Sequence, residues 1–528
     1  MSSEPVFSRA AVAAPHSLAA EAGRDILVQG GNAIEAMVAM AATVAVVYPH
    51  MNSLGGDGFW LIREPGGRAR AVEACGFAGK AATVEGYRKL GDTIAVRGPA
   101  AALTGPGAVG GWAEALKLSA TLGGRLPLKL LIERAAAHAR AGVPISASEA
   151  RYRPKELDGL LAAPGFQEHY YPGGEPPKAG DIRKQPRLAE TLSHLAHSGL
   201  DDFYHGDIAR EIAADLTRIG SPVSREDLAA YSARWREPLA MRIQGATLYN
   251  TPVPTQGIAS LILLGIYERL AVTRTEGFAH AHALIEATKR AYRVRDRVGF
   301  DFDLPNEDFG RLLSPAFLQS EAERIDKRRA APWPLPAEEG DTVWMGAIDG
   351  DGLAVSYIQS VYWEYGSGCV LPNTGLLMQN RGIAFTLDEK SPRGLKPGRR
   401  PFHTLNPPLA AYDDGRMLSY GSMGGDGQPQ FQAQVFTRIH AGAGVADAVA
   451  APRHLWGRLW GEPSATVKIE DAYDDVTASA LMRAGHEVER RGAGERDMFG
   501  HAGALLRLPR GEVAAAHDPR ADGGAAGI

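Results

Sequence analysis

The sequence predicts an α+β fold in which antiparallel sheet lies between helical layers. Three observations predict it. Strand-like runs cluster and helical stretches cluster, without the alternating rhythm that a parallel sheet needs. Two apolar runs at 342–361 are joined by Asp349-Gly350-Asp351-Gly352, a strong hairpin signal. The longest apolar run, Ala33 to Val47, is Ala-rich, contains Glu35 and falls short of the ~18 to 20 apolar residues of a membrane span, so it reads as a buried helix.

Each element follows in order. The opening stretch MSSEPVFSRAAVAAPHSLAAEAG lacks a basic start followed by an unbroken apolar run, so no secretory leader is expected. Gly30-Gly31-Asn32 precedes the buried helix and Pro49-His50 stops it. Leu54-Gly55-Gly56-Asp57-Gly58 leads into a strand at Phe59–Ile62, with a turn at Pro65-Gly66-Gly67. Residues 113–141 read as helical, 151–190 as a loop-rich excursion, and 192–231 as helices again. Ser224 caps one of these, ahead of an acidic first turn. A long helix is expected over 277–297, then a charged and Pro-rich exposed linker at 323–340. The hairpin follows, with strands at 342–348 and 353–361, and further strands at 376–379 and 418–420. Helices are expected at 431–440 and 474–484. The motif Gly55-Gly56-Asp57-Gly58 is echoed once, at Gly424-Gly425-Asp426-Gly427.

Composition narrows the function. The 528 residues carry 57 basic against 61 acidic side chains, a net charge of −4, so there is no basic field to hold a phosphate backbone and nucleic acid is not an expected partner. No membrane partner is expected either. The two cysteines, Cys75 and Cys369, cannot make a disulfide framework. Their scarcity and the leaderless start together make the cytoplasm the expected compartment. The 62 glycines and 34 prolines are an excess in a chain that is not low-complexity.

Several motifs are set aside. No Walker-type phosphate loop, GxSxG elbow, HExxH or paired CxxC occurs. GPGAVG at 105–110 fits a dinucleotide fingerprint by letter but follows no clear strand. His280 and His282, two apart on one helix, face different sides and read as ordinary surface or packing residues rather than metal ligands. Cys75 reads as a buried thiol, and Trp344, Trp363, Trp456 and Trp460 as core tryptophans.

The junction Glu338-Glu339-Gly340-Asp341-Thr342 carries the chemistry. A linker runs straight into a strand whose first residue is Thr342. A threonine hydroxyl is a poor nucleophile unless a base removes its proton. An N-terminal threonine carries that base itself, an α-amine of reference pKa ~7.7 to 8.0. The amine exists only if the Asp341–Thr342 bond is cut, by an N→O acyl shift.

With GGNAIEAMVAMAATVAVVYPHMNSLGGDGF, LTGPGAVGGW, FYHGDIA, SREDLAAY, HALIEATKRAYRVRD, DTVWMGAIDGDGLAVSYIQS, RRPFHTLNP, GSMGGDG and DPRADGGAAG in this order, the chain resembles the γ-glutamyltranspeptidase family of N-terminal-nucleophile hydrolases nearly end to end. The resemblance implies a four-layer αββα sandwich. It implies self-cleavage at Asp341–Thr342 into a large subunit, 1–341, and a small one, 342–528, that build one fold. It implies no metal and no organic cofactor, and it leaves further assembly of the heterodimer open. Thr342 matches the nucleophile and Ser360 a supporting hydroxyl, with Ser for the family's usual Thr. Gly424 and Gly425 match the pair whose N–H groups form the oxyanion hole.

The departures bear on substrate. The family's Arg for the γ-glutamyl α-carboxylate aligns with Cys75, and its Asp for the α-amine with Ala384. An assisting Asn aligns with Tyr362, and a Ser pair with His403-Thr404. Losing the charged anchors for a zwitterion removes ~2 kcal/mol or more each. SVYWEYGSGCVLP, QNRG, RRPFHTLNP and GSMGGDGQPQ resemble the branch of the family that hydrolyses oxamate to oxalate and ammonia. A small anion suits a reduced pocket, with Arg381 and His403 as its carboxylate grip and Tyr362 and Thr404 beside it. Tyr362 shares the strand face of Ser360, whereas Gln359 points away. Two other readings stand beside this one. The first is a γ-glutamyl or glutaryl amide hydrolase or transpeptidase, and the second an uncleaved, catalytically silent binding protein.

Overall fold

A computed structural model describes residues 5–298, 306–332, 341–457 and 464–528. Two seven-stranded sheets carry the fold. The first runs, in spatial order, Gly524–Gly527, Ala11–Ala14, Asp341–Ile348, Ala354–Tyr362, Asp57–Arg63, Ala69–Ala74 and Arg234–Arg236. The second runs Val6–Phe7, Val513–His517, Ala502–Arg507, Met417–Ser422, Leu409–Tyr412, Ala246–Asn250 and Leu239–Ile243. Every neighbouring pair in both sheets is antiparallel.

Strand alternation sorts side chains into three apolar layers. Trp344, Ile348, Ile358, Phe59 and Leu61 of the first sheet meet Leu409, Met417, Leu505 and Ala515 of the second. The opposite face of the first sheet, with Val343, Met345, Val355 and Tyr357, packs on the Ala33–Val47 helix and its neighbours. The outer face of the second, with Leu248, Leu418, Ala504 and Leu506, packs on helices Gly257–Arg269, Phe278–Val298 and Gln428–His440. The result is helix, sheet, sheet, helix. No helix among the described residues is long and apolar enough to cross a membrane.

The Ala33–Val47 helix is buried along its whole length and opens with a capping box between Asn32 and Glu35. Ser224 caps Arg225–Ala229 in the same way, with Asp227. The hairpin forms as its sequence predicts, from Asp341–Ile348 and Ala354–Tyr362.

Two expectations change. Residues 151–190 are not merely loop: they hold short helices at Leu157–Leu161 and Phe166–Tyr170, and a longer one begins at Pro186. Residues 376–379 form no strand; Leu377 and Met378 make isolated bridges to Val370 and Gly55, because the segment crosses the end of the sheet rather than extending it. Ahead of the linker, the Pro315–Glu323 helix opens on a Ser314 cap; of the linker itself, 333–340 lies outside the described residues.

Candidate active site

Thr342, Trp344 and Ile348 share one face of their strand, so Thr342 projects between the two sheets, where it is fully buried. A register shift between Asp341 and Val343 bulges the pairing at this end of the hairpin. Across it, the Thr342 hydroxyl donates to Ser360 Oγ at 3.3 Å, and Tyr362 N–H donates to the same oxygen at 2.8 Å. Ser360 thus touches the residue expected to react. Gln359 is turned to the helical side, against Trp112 and Asn52, as its odd register requires.

Tyr362 does not follow simple alternation. Its backbone takes the left-handed conformation, φ +83°, which costs a non-glycine residue of order 1 kcal/mol. Its ring lies 3.5 Å from the Arg381 guanidinium carbon. Tyr362 also lines a cavity of about 310 Å³, with Ile94, Trp363, Ile383, Phe385 and Asp92 among others. Trp363 therefore lines a cavity instead of filling the core, because it follows the last residue of the Ala354–Tyr362 strand. Trp344 and Trp456 are core residues as expected, and Trp460 lies outside the described residues.

Arg381 opens the short helix Arg381–Ala384 and is 1 % exposed, yet neither Nη1 nor Nη2 has a hydrogen-bond partner among the described residues. Burial pulls its pKa down to about 10, with Tyr362 and Asp57 acting against that fall. His403 is fully buried, and both ring nitrogens are unpartnered among the described residues. Burial, then Arg381 and Arg400, hold it well below the usual imidazole range. Its 3.6 Å approach to Asp57 Oδ2 is therefore the contact of a neutral ring, not an ion pair. Thr404 Oγ1 is likewise buried and unpartnered. Ala384 and Cys75 are buried, and burial lifts the Cys75 thiol well above its normal range.

Gly424 and Gly425 end the Met417–Ser422 strand on the facing sheet. Their φ values, +117° and +48°, lie where side chains are strained, and a Cβ on Gly424 would fall 2.6 Å from the Phe431 ring. Neither N–H donates to a backbone carbonyl among the described residues. The loop is held from behind by residues that the sequence did not single out. Gln256 Nε2 donates to Gly425 O and to Thr404 O, each at 2.8 Å. Arg295 Nη1 donates to Gln256 Oε1 at 3.0 Å and to Asp426 Oδ1 at 2.8 Å, and Tyr292 Oη donates to Asp426 O. Gln256→Leu takes one donor from each of two buried carbonyls, which keep Gln428 N–H on Gly425 O and Asn406 Nδ2 on Thr404 O, so at ~0.5 to 1.5 kcal/mol per lost bond turnover should fall about 10-fold with little change in KM, read from steady-state kinetics.

The two GGDG motifs sit on opposite sheets at this one end. Gly56 runs so close beneath the hairpin that a Cβ would lie 2.2 Å from Ser360 O. Asp57, in the first motif, is paired in register with Ser360. The repeated motif was the available signal for Asp57 and Asp426, and Arg295 lies within the HALIEATKRAYRVRD segment; Gln256, just ahead of the Gly257–Arg269 helix, left none.

His280 and His282 are buried packing residues. His280 contacts Tyr267 Oη at 2.9 Å. His282 lies with Glu286 and His486 in a group whose ligand atoms are within 4.8 Å, but its nitrogens are engaged by His486 and Asp326 O, and Lys289 Nζ is 2.7 Å from Glu286.

The gamma-glutamyltranspeptidase family model matches residues 19–528. The chain is 47% identical to the oxamate amidohydrolase proenzyme of Klebsiella pneumoniae over 529 residues, covering 100% of both. It is 36% identical to the glutathione hydrolase-like YwrD proenzyme of Bacillus subtilis, again covering 100% of both. Among solved structures, cephalosporin acylase from Bacillus halodurans superposes with a TM-score of 0.87 at 30% identity, covering 100% of this chain and 97% of that one. With its αββα layers and full-length match, the chain belongs to the gamma-glutamyltranspeptidase family.

Proposed function

We propose that this amide hydrolase is made as a precursor that cuts itself at Asp341–Thr342, and that Thr342 then hydrolyses oxamate to oxalate and ammonia. The observation that carries the substrate reading is the buried, unpartnered Arg381 guanidinium beside the hairpin end that holds Thr342. Cys75 and Ala384 offer nothing to a γ-glutamyl head, whereas a single buried cation suits a two-carbon anion. The similarity to the Klebsiella oxamate amidohydrolase proenzyme favours the same choice.

In this mechanism the precursor's Thr342 Oγ attacks the Asp341 carbonyl, the C–N bond breaks as the proton passes to nitrogen and frees the α-amine, and hydrolysis of the resulting ester releases the Asp341 carboxylate and restores the Thr342 hydroxyl. Large and small subunits remain together in one fold. The amine then takes the proton from Thr342 Oγ as that oxygen attacks the oxamate amide carbon. Gly424 and Gly425 N–H groups receive the oxyanion. Collapse passes the proton to the departing nitrogen, which leaves as ammonia. Water, deprotonated by the same amine, releases oxalate and restores the hydroxyl. The chain's own residues supply every group this scheme uses, and the cytoplasm is the compartment we assign.

Ser360 orients the nucleophile by accepting its proton in a hydrogen bond. Ser360→Ala should slow both cleavage and turnover about 10-fold, the worth of one ~1 to 1.5 kcal/mol bond, and Ser360→Thr should restore both. The test of substrate is ammonia release by cleaved enzyme from oxamate beside glutamine and γ-glutamyl amides. A kcat/KM for oxamate at least ~100-fold higher is expected, the worth of about two 1.4 kcal/mol steps. Preference for the γ-glutamyl amides would overturn the reading.

A further inference from the structure

Asp57 begins the Asp57–Arg63 strand on the inter-sheet face, with Phe59 and Leu61, and stands opposite Ser360. Its Oδ1 accepts from Gly76 N–H at 2.9 Å and from Gln379 Nε2 at 3.0 Å. Its Oδ2 is buried and has no partner among the described residues. His403 Nε2 lies 3.6 Å from it and is itself without a partner among the described residues, as are Arg381 Nη1 and Nη2 and Thr404 Oγ1. Buried polar atoms are nearly always paired, so a knot of unpaired ones at one place points to a polar ligand that pairs them. If that ligand is an anion, an ionised Asp57 would set two like charges in one dry site, and one of the two must carry a proton.

We propose that Asp57 keeps a proton on Oδ2 and donates it in a hydrogen bond to the substrate carboxylate, so that Asp57 and Arg381 grip the anion together. This rests on the reading that the substrate is a small anionic amide. It makes Asp57 a binding residue and removes an apparent contradiction, a carboxyl group inside an anion site.

The surroundings agree. Burial lifts Asp57 to about 7, against the opposing pull of Gly76, Gln379, Arg381 and Arg400. Of the charged neighbours, Arg400 is paired with Glu73 at 3.1 Å and Asp426 with Arg295. His403 is neutral, and the Cys75 thiol and the Tyr204, Tyr231 and Tyr357 hydroxyls are all pushed upward by burial and stay protonated. Arg381 is thus the cation; the Thr342 α-amine, of reference pKa ~7.7 to 8.0, is common to wild type and variants, and Asp57 is the further group that titrates near neutrality. A bound anion raises the hold of Asp57 on its proton further.

Asp57→Asn is a close isostere: its Oδ1 can accept the same two bonds and its Nδ2 can donate where Oδ2–H does, but it cannot ionise. The test uses cleaved enzyme and oxalate, the expected product, as a non-reacting probe. Calorimetry at pH 8 in two buffers of different ionisation enthalpy counts protons taken up per oxalate bound. Wild type should take up about one proton more than Asp57→Asn, and its KM for oxamate should climb about tenfold per pH unit above ~7 while that of the variant stays level. Asp57→Leu, lacking the donor, should raise KM at every pH. Equal proton uptake with parallel KM profiles, oxamate turnover being intact, would overturn the role of Asp57 alone. A cleaved enzyme that released no ammonia from oxamate would instead bring down the substrate reading on which it rests.

Discussion

Thr342→Ala should appear on a denaturing gel as one band near 56.2 kDa, where the wild-type protein gives two. The hydroxyl is the atom that would attack the Asp341 carbonyl, and nothing else at the hairpin end can replace it. Ser360 Oγ, its neighbour at 3.3 Å, sits on the adjoining strand and already accepts from Tyr362 N–H. Without cleavage there is no α-amine, so nucleophile and base disappear together. Ammonia release should then fall by on the order of 10⁴-fold or more, as when a linked catalytic unit loses its nucleophile. Thr342→Ser should still cleave, more slowly, because the oxygen is kept and only the rotamer-fixing methyl is lost. Cleavage at 341–342 in the alanine variant would show that another group does the cutting. An unprocessed wild-type protein would favour the silent binding protein.

Arg381→Met should raise KM for oxamate about 30- to 1000-fold, the ~2 to 4 kcal/mol worth of a desolvated charge contact to a carboxylate. It should not destabilise the free enzyme. A structural arginine is held by carboxylates or carbonyls, as Arg453 is by Asp518, Phe499 O and Gly500 O. Among the described residues the Arg381 guanidinium has the Tyr362 ring against it and no hydrogen bond at Nη1 or Nη2; burial draws its pKa down to about 10, as it does for Arg453, so the missing partners set the two apart. A base whose folded pKa lies below its unfolded value makes its charged form costly to the fold, and that cost is fully present at every pH below the folded value. Here it is on the order of 3 kcal/mol. Methionine fills similar space without that cost, so the melting temperature should hold or rise. Thermal melts and oxamate kinetics on one preparation decide the matter: a fallen melting temperature with unchanged KM would make Arg381 a packing residue.

Much of this architecture is legible in the sequence, for physical reasons that differ by element. The Ala33–Val47 helix and the 341–362 hairpin announce themselves through apolar runs bounded by caps and turns. The Ala11–Ala14, Val513–His517 and Gly524–Gly527 strands do not. They are built of alanine and glycine, poor strand formers in isolation, because the sheets approach closely there. A Cβ on Gly346, for example, would meet Leu505 Cδ1 at 2.4 Å. At the site, Thr342, Ser360 and the glycine pair are visible through motif order, and the structure brings Thr342 and Ser360 into contact. Arg381 is visible only as an arginine in QNRG; that its guanidinium is dry and unpaired is a property of the packed chain. Tyr362 could be placed on the Ser360 face by alternation, but its left-handed backbone and its position over Arg381 could not. Asp57 lies in a motif that the sequence repeats, yet its role depends on Gly76, Gln379 and His403, which arrive from three separate segments.

The most direct test of the whole account is mass spectrometry of the protein rapidly quenched during turnover of oxamate. The account predicts a small subunit beginning at Thr342, part of it carrying an oxalyl ester on that residue. A small subunit with another N-terminus, or an oxalyl group on any other side chain, would contradict it.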